Sequence, residues 1–141
     1  IANNLLEMSN LSVPILSYVI GEGGSGGALA IGVCDHLAML DYSIYSVISP
    51  EGCASILWKS PDNANIAAEA MCITADNLLK LKLIDEIVPE PLGGAHRNIT
   101  QVSKDISNSI AKNLSIFNNM DSRILIKNRK DKLDSVGYFQ E

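Results

Sequence analysis

Hydrophobic positions along the chain fall into short bursts whose period keeps changing. Ile1-Ala2-Asn3-Asn4-Leu5-Leu6-Glu7-Met8 has the spacing of an amphipathic helix already under way, with no capping residue ahead of it. Val13 to Ile20 is apolar and β-rich, with its Pro near the start, where a strand tolerates one. Five glycines then fall within seven residues, Gly21 to Gly27, and a small-residue helix follows from Gly27 to Val33. Ala28, Leu29, Ala30 and Ile31 make that helix apolar all round, which predicts burial on every side. Residues 36–40 and 43–48 read as two further strands, parted by Asp41-Tyr42.

Helix starts punctuate the middle of the chain. Ser49-Pro50-Glu51 supplies a capping hydroxyl, a Pro at the first helical position and a carboxylate at the positive end of the dipole. The helix it opens carries Cys53, Ala54, Ile56, Leu57 and Trp58. Ser60-Pro61-Asp62 marks another start leading into residues 67–71, and Thr74-Ala75-Asp76 a third, with Leu78, Leu79, Leu81 and Leu83. Residues 84–88 form a strand that Pro89 and Pro91 stop, and Pro91 to Arg97 is a loop. Two helices, about 98–116 and 121–135, close the chain. The order is α/β, in short β-β-α units more than the regular β-α-β of a doubly wound sheet. No internal repeat or low-complexity tract is visible.

Composition narrows the class. At 141 residues, 47% of them apolar, the chain has the length and content of one globular domain or part of one. It begins inside a helix and without Met, and reads as the C-terminal piece of something longer. No apolar run reaches the roughly 18 residues of a membrane helix. The best candidate, Ala28 to Leu40, is broken by Asp35 and His36, and no basic region precedes an apolar one as in a secretory signal. A net charge of −5 without a basic stripe argues against nucleic-acid binding. The three cysteines, Cys34, Cys53 and Cys72, have neither metal-ligand spacing nor the even count of a disulfide framework. They read as small buried thiols in a reducing compartment, so the cytoplasm is the expected location and no metal is expected in this chain.

The glycine run satisfies two unrelated motifs. Gly21, Gly23 and Gly26 spell the dinucleotide fingerprint, with Asp41 nominally in place as the acidic residue. Only about eight residues separate Gly27 from Asp35, which is short for a crossover helix. Gly23, Ser25 and Gly27 spell a nucleophile elbow, and Asp85 and His96 follow in the chain order Ser, Asp, His. A third reading uses bare backbone: Gly26 and Gly27, at the first turn of the helix, present N–H groups that stabilise an oxyanion. The bland alternative is close packing of a tight turn, which one or two glycines would satisfy.

The run GEGGSGGALAIGVCD resembles the glycine-rich turn of the crotonase superfamily, in which a backbone N–H polarises an acyl-CoA thioester or a similar carbonyl. VPILSYVIGEGGSGGALAIG, YSVISPEGCASILWKS, AAEAM, LKLIDEIVPEPLGGAHRN and the closing KNR resemble, in the same order, segments of the carboxyltransferase α subunits of bacterial and plastid acetyl-CoA carboxylase. The SPEGCASILWK and EPLGGAHRN blocks are the specific ones, and the likeness is weakest from about Thr100 to Ile126. It implies a crotonase-like (ClpP/crotonase) superhelix of repeated β-β-α units, of which this is the C-terminal part, with closing helices. Residues 1–97 would belong to that domain and 98–141 to a helical extension. The implied reaction moves a carboxyl group from carboxybiotin, on the biotin carboxyl carrier protein, to acetyl-CoA, giving malonyl-CoA for fatty acid synthesis.

On the same resemblance, Gly26 and Gly27 offer their N–H groups to the ureido oxygen of biotin, and Gly23, Gly24, Ser25, Glu22 and Glu51 form the neighbourhood. A zinc-ribbon β subunit would hold the thioester enolate and most of the CoA, in an α2β2 hetero-oligomer served by biotin carboxylase. Leu29 stands where hydratases of the superfamily place a catalytic carboxylate, which disfavours water addition. Glu51 is a helix-cap charge or a site residue; Glu22 orients the loop or faces a partner. His96 and Arg97 line a phosphate or subunit contact, or tie a loop to the sheet. Lys59 reads as a solvated charge and Trp58 as core or interface. The sequence departs from the family where Lys130-Asp131-Lys132 follows Arg129 and where the chain runs past Gly137-Tyr138. The alternatives are a serine hydrolase using Ser25, Asp85 and His96, and an inactive interaction fragment of the same fold.

Overall fold

The structure, a computed structural model, describes residues 1–137. Successive strands go to alternate sheets. β1 (Leu16–Val19), β3 (His36–Leu40) and β5 (Glu86–Val88) form one parallel sheet in the order β1-β3-β5, while β2 (Glu22–Gly24) and β4 (Ile44–Ser46) form a second parallel pair. A helix follows each two-strand step: α2 (Ser25–Gly32) after β2, and α3 (Pro50–Trp58) after β4. This is the expected β-β-α succession. α1 (Ala2–Ser9) precedes it. α4 (Ala64–Met71), α5 (Ala75–Lys80), α6 (Ile99–Phe117) and α7 (Ser122–Asp134) complete the chain, with short 3-10 turns at Pro61–Asn63 and Ala95–Arg97.

The core is organised by β3, whose five residues are all buried. Its alternation sends Leu37 and Met39 to one face, where Val19, Cys34, Ala75, Leu78 and Ile84 cluster. Ala38 and Leu40 go to the other, against Val88 and Val102 of α6. A central parallel strand covered on both faces reads as a continuous apolar run, as this one does. The register sets Val19 beside Met39 and Val88 beside Leu40, so the strand ends that lead toward the cleft and loops are level.

Charged and polar side chains pin this core from behind. Arg129 is 1% exposed, the largest fully buried side chain. Its Nε and Nη2 donate to Asp35 at 3.0 and 2.7 Å, and its Nη1 and Nη2 to the carbonyls of Met8 at 3.1 Å, Leu11 at 2.8 Å and Val13 at 2.9 Å. Asp35 in turn accepts the Ile15 amide at 2.7 Å. One residue of α7 thereby holds both the lead-in to β1 and the exit from α2. A buried guanidinium is tolerable only when its donors are matched in this way. Under α6, Glu86 accepts from Ser109 and His36 at 2.9 Å and from Asn113 at 3.2 Å. Tyr18 hydroxyl donates to Ser109 at 2.8 Å, which joins three strands and a helix through one carboxylate.

Two expectations change. The glycine run is not all turn, since Glu22–Gly24 pairs with Ile44–Ser46 as a strand. α2 begins at Ser25 and is not buried on every side: only Ala28 is buried, and Leu29 is 56% exposed. The reason is geometric, because strands β1, β2 and β4 pack on part of the helix while Leu29 borders two open grooves that Tyr45 of β4 also lines. The departing basic residues are surface partners: Lys130 reaches Asn10 at 2.8 Å and Lys132 reaches Asp85 at 2.5 Å. Tyr138 to Glu141, where the sequence runs on, lie outside the described residues.

Candidate functional site

The chain turns from β2 into α2 through a single residue. Ser25 has φ +56°, in the left-handed region that non-glycine residues seldom adopt, and its side chain is exposed. On either side stand the glycines, and they are not alike. A Cβ on Gly23 would lie 2.9 Å from Tyr45 Cδ2 and 3.3 Å from Val19 Cγ1, so packing demands glycine there. On Gly24 and Gly26 the nearest atoms would be at 3.8 and 4.0 Å, and on Gly21 and Gly27 nothing lies within 4 Å. None of these glycines has positive φ. Neither packing nor backbone conformation accounts for them, so their common effect is to leave the backbone bare. Gly26 and Gly27 lie in the first turn of α2, where amides have no acceptor within the helix and no side chain caps them.

In front of this turn lies a cleft of about 850 Å³. Glu22, Gly23, Gly24 and Ser25 line one side, and Ile44, Ser46 and residues 47–51 the other. Five of the expected site residues therefore share one wall-to-wall space: Glu22, Gly23, Gly24, Ser25 and Glu51. Gly26 and Gly27 follow Ser25 in the chain but are not among the residues that line the cleft. Ser49 Oγ accepts the Gly52 amide at 3.1 Å and caps α3, which aims its first turn, with Glu51, into the cleft. Glu51 is thus both a helix-start charge and a cleft residue.

Ser46, Val47 and Ile48 also line an adjoining apolar groove of about 350 Å³, closed by Ala28, Leu29, Tyr45, Met71, Ile73, Leu78 and Leu83. Tyr45 donates its hydroxyl to the Ala28 carbonyl at 2.5 Å, and burial pushes the phenol pKa up. Leu29 sits at the junction of α2 with this groove.

The hydrolase triad is not assembled. Asp85 accepts from the Leu37 amide at 2.7 Å and from Lys132, and neither Asp85 nor His96 lines the cleft that holds Ser25. The dinucleotide reading fails as well, because its glycines are split between the bend before β2 (Gly21), strand β2 (Gly23) and helix α2 (Gly26) and do not form one phosphate-wrapping loop. In the GGAHR loop His96 and Arg97 are exposed, and Glu90 does the tying: it accepts Ala95 N and Tyr42 N, each at 2.7 Å. Trp58 is 42% exposed and Lys59 ends α3 in the left-handed conformation, both on the surface. The residues that reading the sequence missed are Asp35, Arg129, Ser109 and Asn113, which nothing in the sequence sets apart from neighbours of the same type. Among the described residues no three His, Cys, Asp or Glu side chains gather as a metal site, and no helix is long and apolar enough to cross a membrane.

Residues 1–137 match a family profile described as acetyl co-enzyme A carboxylase carboxyltransferase-like. The chain is 60% identical over 138 residues to the acetyl-coenzyme A carboxylase carboxyl transferase subunit alpha of Tolumonas auensis, an alignment covering 98% of this chain and 43% of that protein. It is 59% identical to the protein of the same name from Wigglesworthia glossinidia brevipalpis, covering 98% and 44%. With that of Methylococcus capsulatus it shares 55% identity over 141 residues, covering 100% and 44%. The chain spans less than half the length of these curated relatives. Among solved structures its fold resembles a chain of a Pseudomonas malonate decarboxylase hetero-tetramer in complex with coenzyme A, with a TM-score of 0.70 at 16% identity, covering 95% of this chain and 54% of that one.

Proposed function

Since the chain belongs to the acetyl co-enzyme A carboxylase carboxyltransferase-like family, we propose that it forms the C-terminal part of a carboxyltransferase α subunit. Its reaction is transfer of the carboxyl group of carboxybiotin, borne by the biotin carboxyl carrier protein, to acetyl-CoA, giving malonyl-CoA. The observation that carries this reading is the bare backbone of Gly26 and Gly27 at a helix start beside an open cleft. Space that a Cβ would fill is what a planar cyclic urea needs to bring its oxygen against two amides, so the residues fit the group.

Carboxybiotin supplies the activated carboxyl group. The chain's part is positional and electrostatic: Gly26 and Gly27 donate N–H groups to the ureido oxygen, and the positive end of α2 favours charge gathering there. Gly23, Gly24 and Ser25 shape the approach, while Glu22 and Glu51 rim the cleft. Residues 1–97 serve as the domain and 98–141 as its helical extension. A zinc-ribbon β subunit completes the CoA and enolate site in an α2β2 assembly, biotin carboxylase reloads the carrier, and the enzyme works in the cytoplasm.

Gly26→Val and Gly27→Val test the assignment. Each places a side chain over one donor, and removing one such donor costs about 10² to 10³ in rate. The open surroundings of both positions within the chain leave thermal stability intact, and assembly with the β subunit is measured alongside. Undiminished malonyl-CoA formation by both variants with the β subunit and loaded carrier would refute it. Labelling by a fluorophosphonate that disappears in Ser25→Ala would revive the hydrolase.

A further inference from the structure

The two cavities beside the glycine turn differ in what protons they offer. The cleft carries two carboxylates, Glu22 and Glu51. The adjoining groove is lined by ten residues, none of them charged. Only two of those ten bear hydroxyls, and both hydroxyls are committed. Tyr45 donates to the Ala28 carbonyl at 2.5 Å and Ser46 to the Ile48 carbonyl at 2.8 Å. Burial raises the Tyr45 pKa, which holds the phenol in its donating form. Leu29 lies at the groove's edge, three residues beyond Gly26 on the same helix, with more than half of its surface open. An exposed Leu there is not explained by packing within the chain. Its neighbours across the groove, Val47 and Ile48, continue the apolar wall into the cleft.

We infer that this groove is a wall that withholds protons from the reacting carboxyl group, and that Leu29 thereby decides whether that group is transferred or lost. The inference rests on the proposed function. Loss breaks the bond between ureido nitrogen and carboxyl carbon; carbon dioxide leaves, and the electron pair left on nitrogen takes a proton from water or a nearby acid. Transfer breaks the same bond, but the carboxyl carbon bonds to the methyl carbon of acetyl-CoA, and the proton given up by that carbon ends on the nitrogen. Both routes balance, and they differ in where the proton comes from. A proton donor must be within hydrogen-bond reach, directly or through one water, to compete. An apolar wall with its hydroxyls occupied provides neither the acid nor a foothold for that water.

The test uses the assembled α and β subunits with carboxybiotin-loaded carrier protein. The first readout is malonyl-CoA formed per carboxybiotin consumed, in Leu29→Glu, Leu29→Gln and Leu29→Met. A second readout, free of turnover, is the affinity of the assembled complex for biotin methyl ester by titration calorimetry without CoA substrate. The ratio falls at least about threefold in Leu29→Glu and less in Leu29→Gln, and Leu29→Met restores it, while affinity stays within about threefold of wild type. Leu92→Gln, at a position 91% exposed and outside both cavities, keeps the wild-type ratio. An unchanged ratio in both polar variants overturns the inference, as does an affinity that falls in step with the ratio. Should the wild-type assembly form no malonyl-CoA at all, the proposed function itself is overturned, and the inference with it.

Discussion

The glycine turn, between β2 and α2, and the Arg129 region, ahead of β1 and β3, are opposites. At the turn, Gly26 and Gly27 hold amides without acceptors, and Leu29 and Val47 leave apolar surface uncovered. Behind β1 and β3, a guanidinium, two carboxylates, an imidazole and an amide are buried or half-buried, and no fully buried side-chain polar atom among the described residues lacks a partner. Satisfied groups fix position; unsatisfied ones are available for a ligand. The contrast teaches that the part of this chain proposed to react is backbone, while the satisfied side chains are spent away from it, on the lead-in to β1 and the exit from α2.

The largest effect is expected on the anchored side. Arg129→Met leaves Asp35 and the carbonyls of Met8, Ser9, Leu11 and Val13 without their donor, a loss of about 3–5 kcal/mol by the usual cost of breaking a buried pair. Urea denaturation of the assembled subunit measures it. Arg129→Lys should recover only part of the loss, because an ammonium cannot reproduce the fork. Equal stability of Arg129→Met and wild type would dissolve the comparison.

The glycines give a smaller and sharper test. Gly23→Ala forces a methyl to within 2.9 Å of Tyr45 and should cost about 1–3 kcal/mol by overpacking. Gly24→Ala meets its nearest atom at 3.8 Å and should cost less than Gly23→Ala, about 0.5 kcal/mol for the poorer N-cap of α2. Identical thermal shifts for the two would mean that the run is structural throughout.

The smallest effect is acid sensitivity at Glu86. Burial raises this carboxyl's pKa, but hydrogen bonds from Ser109, His36 and Asn113 outweigh it, and the net result lies below the ordinary 4.5. A depressed native pKa stabilises the fold above the unfolded value, and that contribution is lost as pH falls through the native one. Denaturant midpoints should therefore hold above about pH 5 and drop as pH falls below 4.5 in the wild type, and drop less in Glu86→Gln. A variant with the same slope would place the sensitivity elsewhere.

Local chemistry made much of the fold legible. Ser49-Pro50-Glu51 opened a helix as expected, with the Ser hydroxyl on Gly52 N, because capping depends on neighbours in sequence. β3 declared itself through five apolar or buried positions in a row. β2 did not, since glycines are poor strand formers and its pairing partner lies about 20 residues downstream. α2 misled for a different reason: apolarity on all sides says that a helix avoids water, not what covers it. In the cleft, Glu22 to Ser25 and Glu51 were found together because two adjacent β-β-α units bring their helix starts to one place. Arg129 was hidden among Arg123, Lys127, Lys130 and Lys132, and only tertiary structure distinguishes the buried cation from its exposed neighbours.

Arg129 also imposes an order of events on synthesis. Its acceptor carbonyls at residues 8 to 13 lie 116 to 121 positions earlier in the chain. A nascent chain emerging N-terminus first must hold that segment unlatched until the 116 to 121 positions that lead to Arg129 have been made. Contacts of such long sequence separation form late and slow folding, because loop closure precedes any gain from them. The lead-in to β1 and the exit from α2 are therefore latched together only once α7 has emerged, and a ribosome that stalls before it would release a chain in which Asp35 lacks its buried partner.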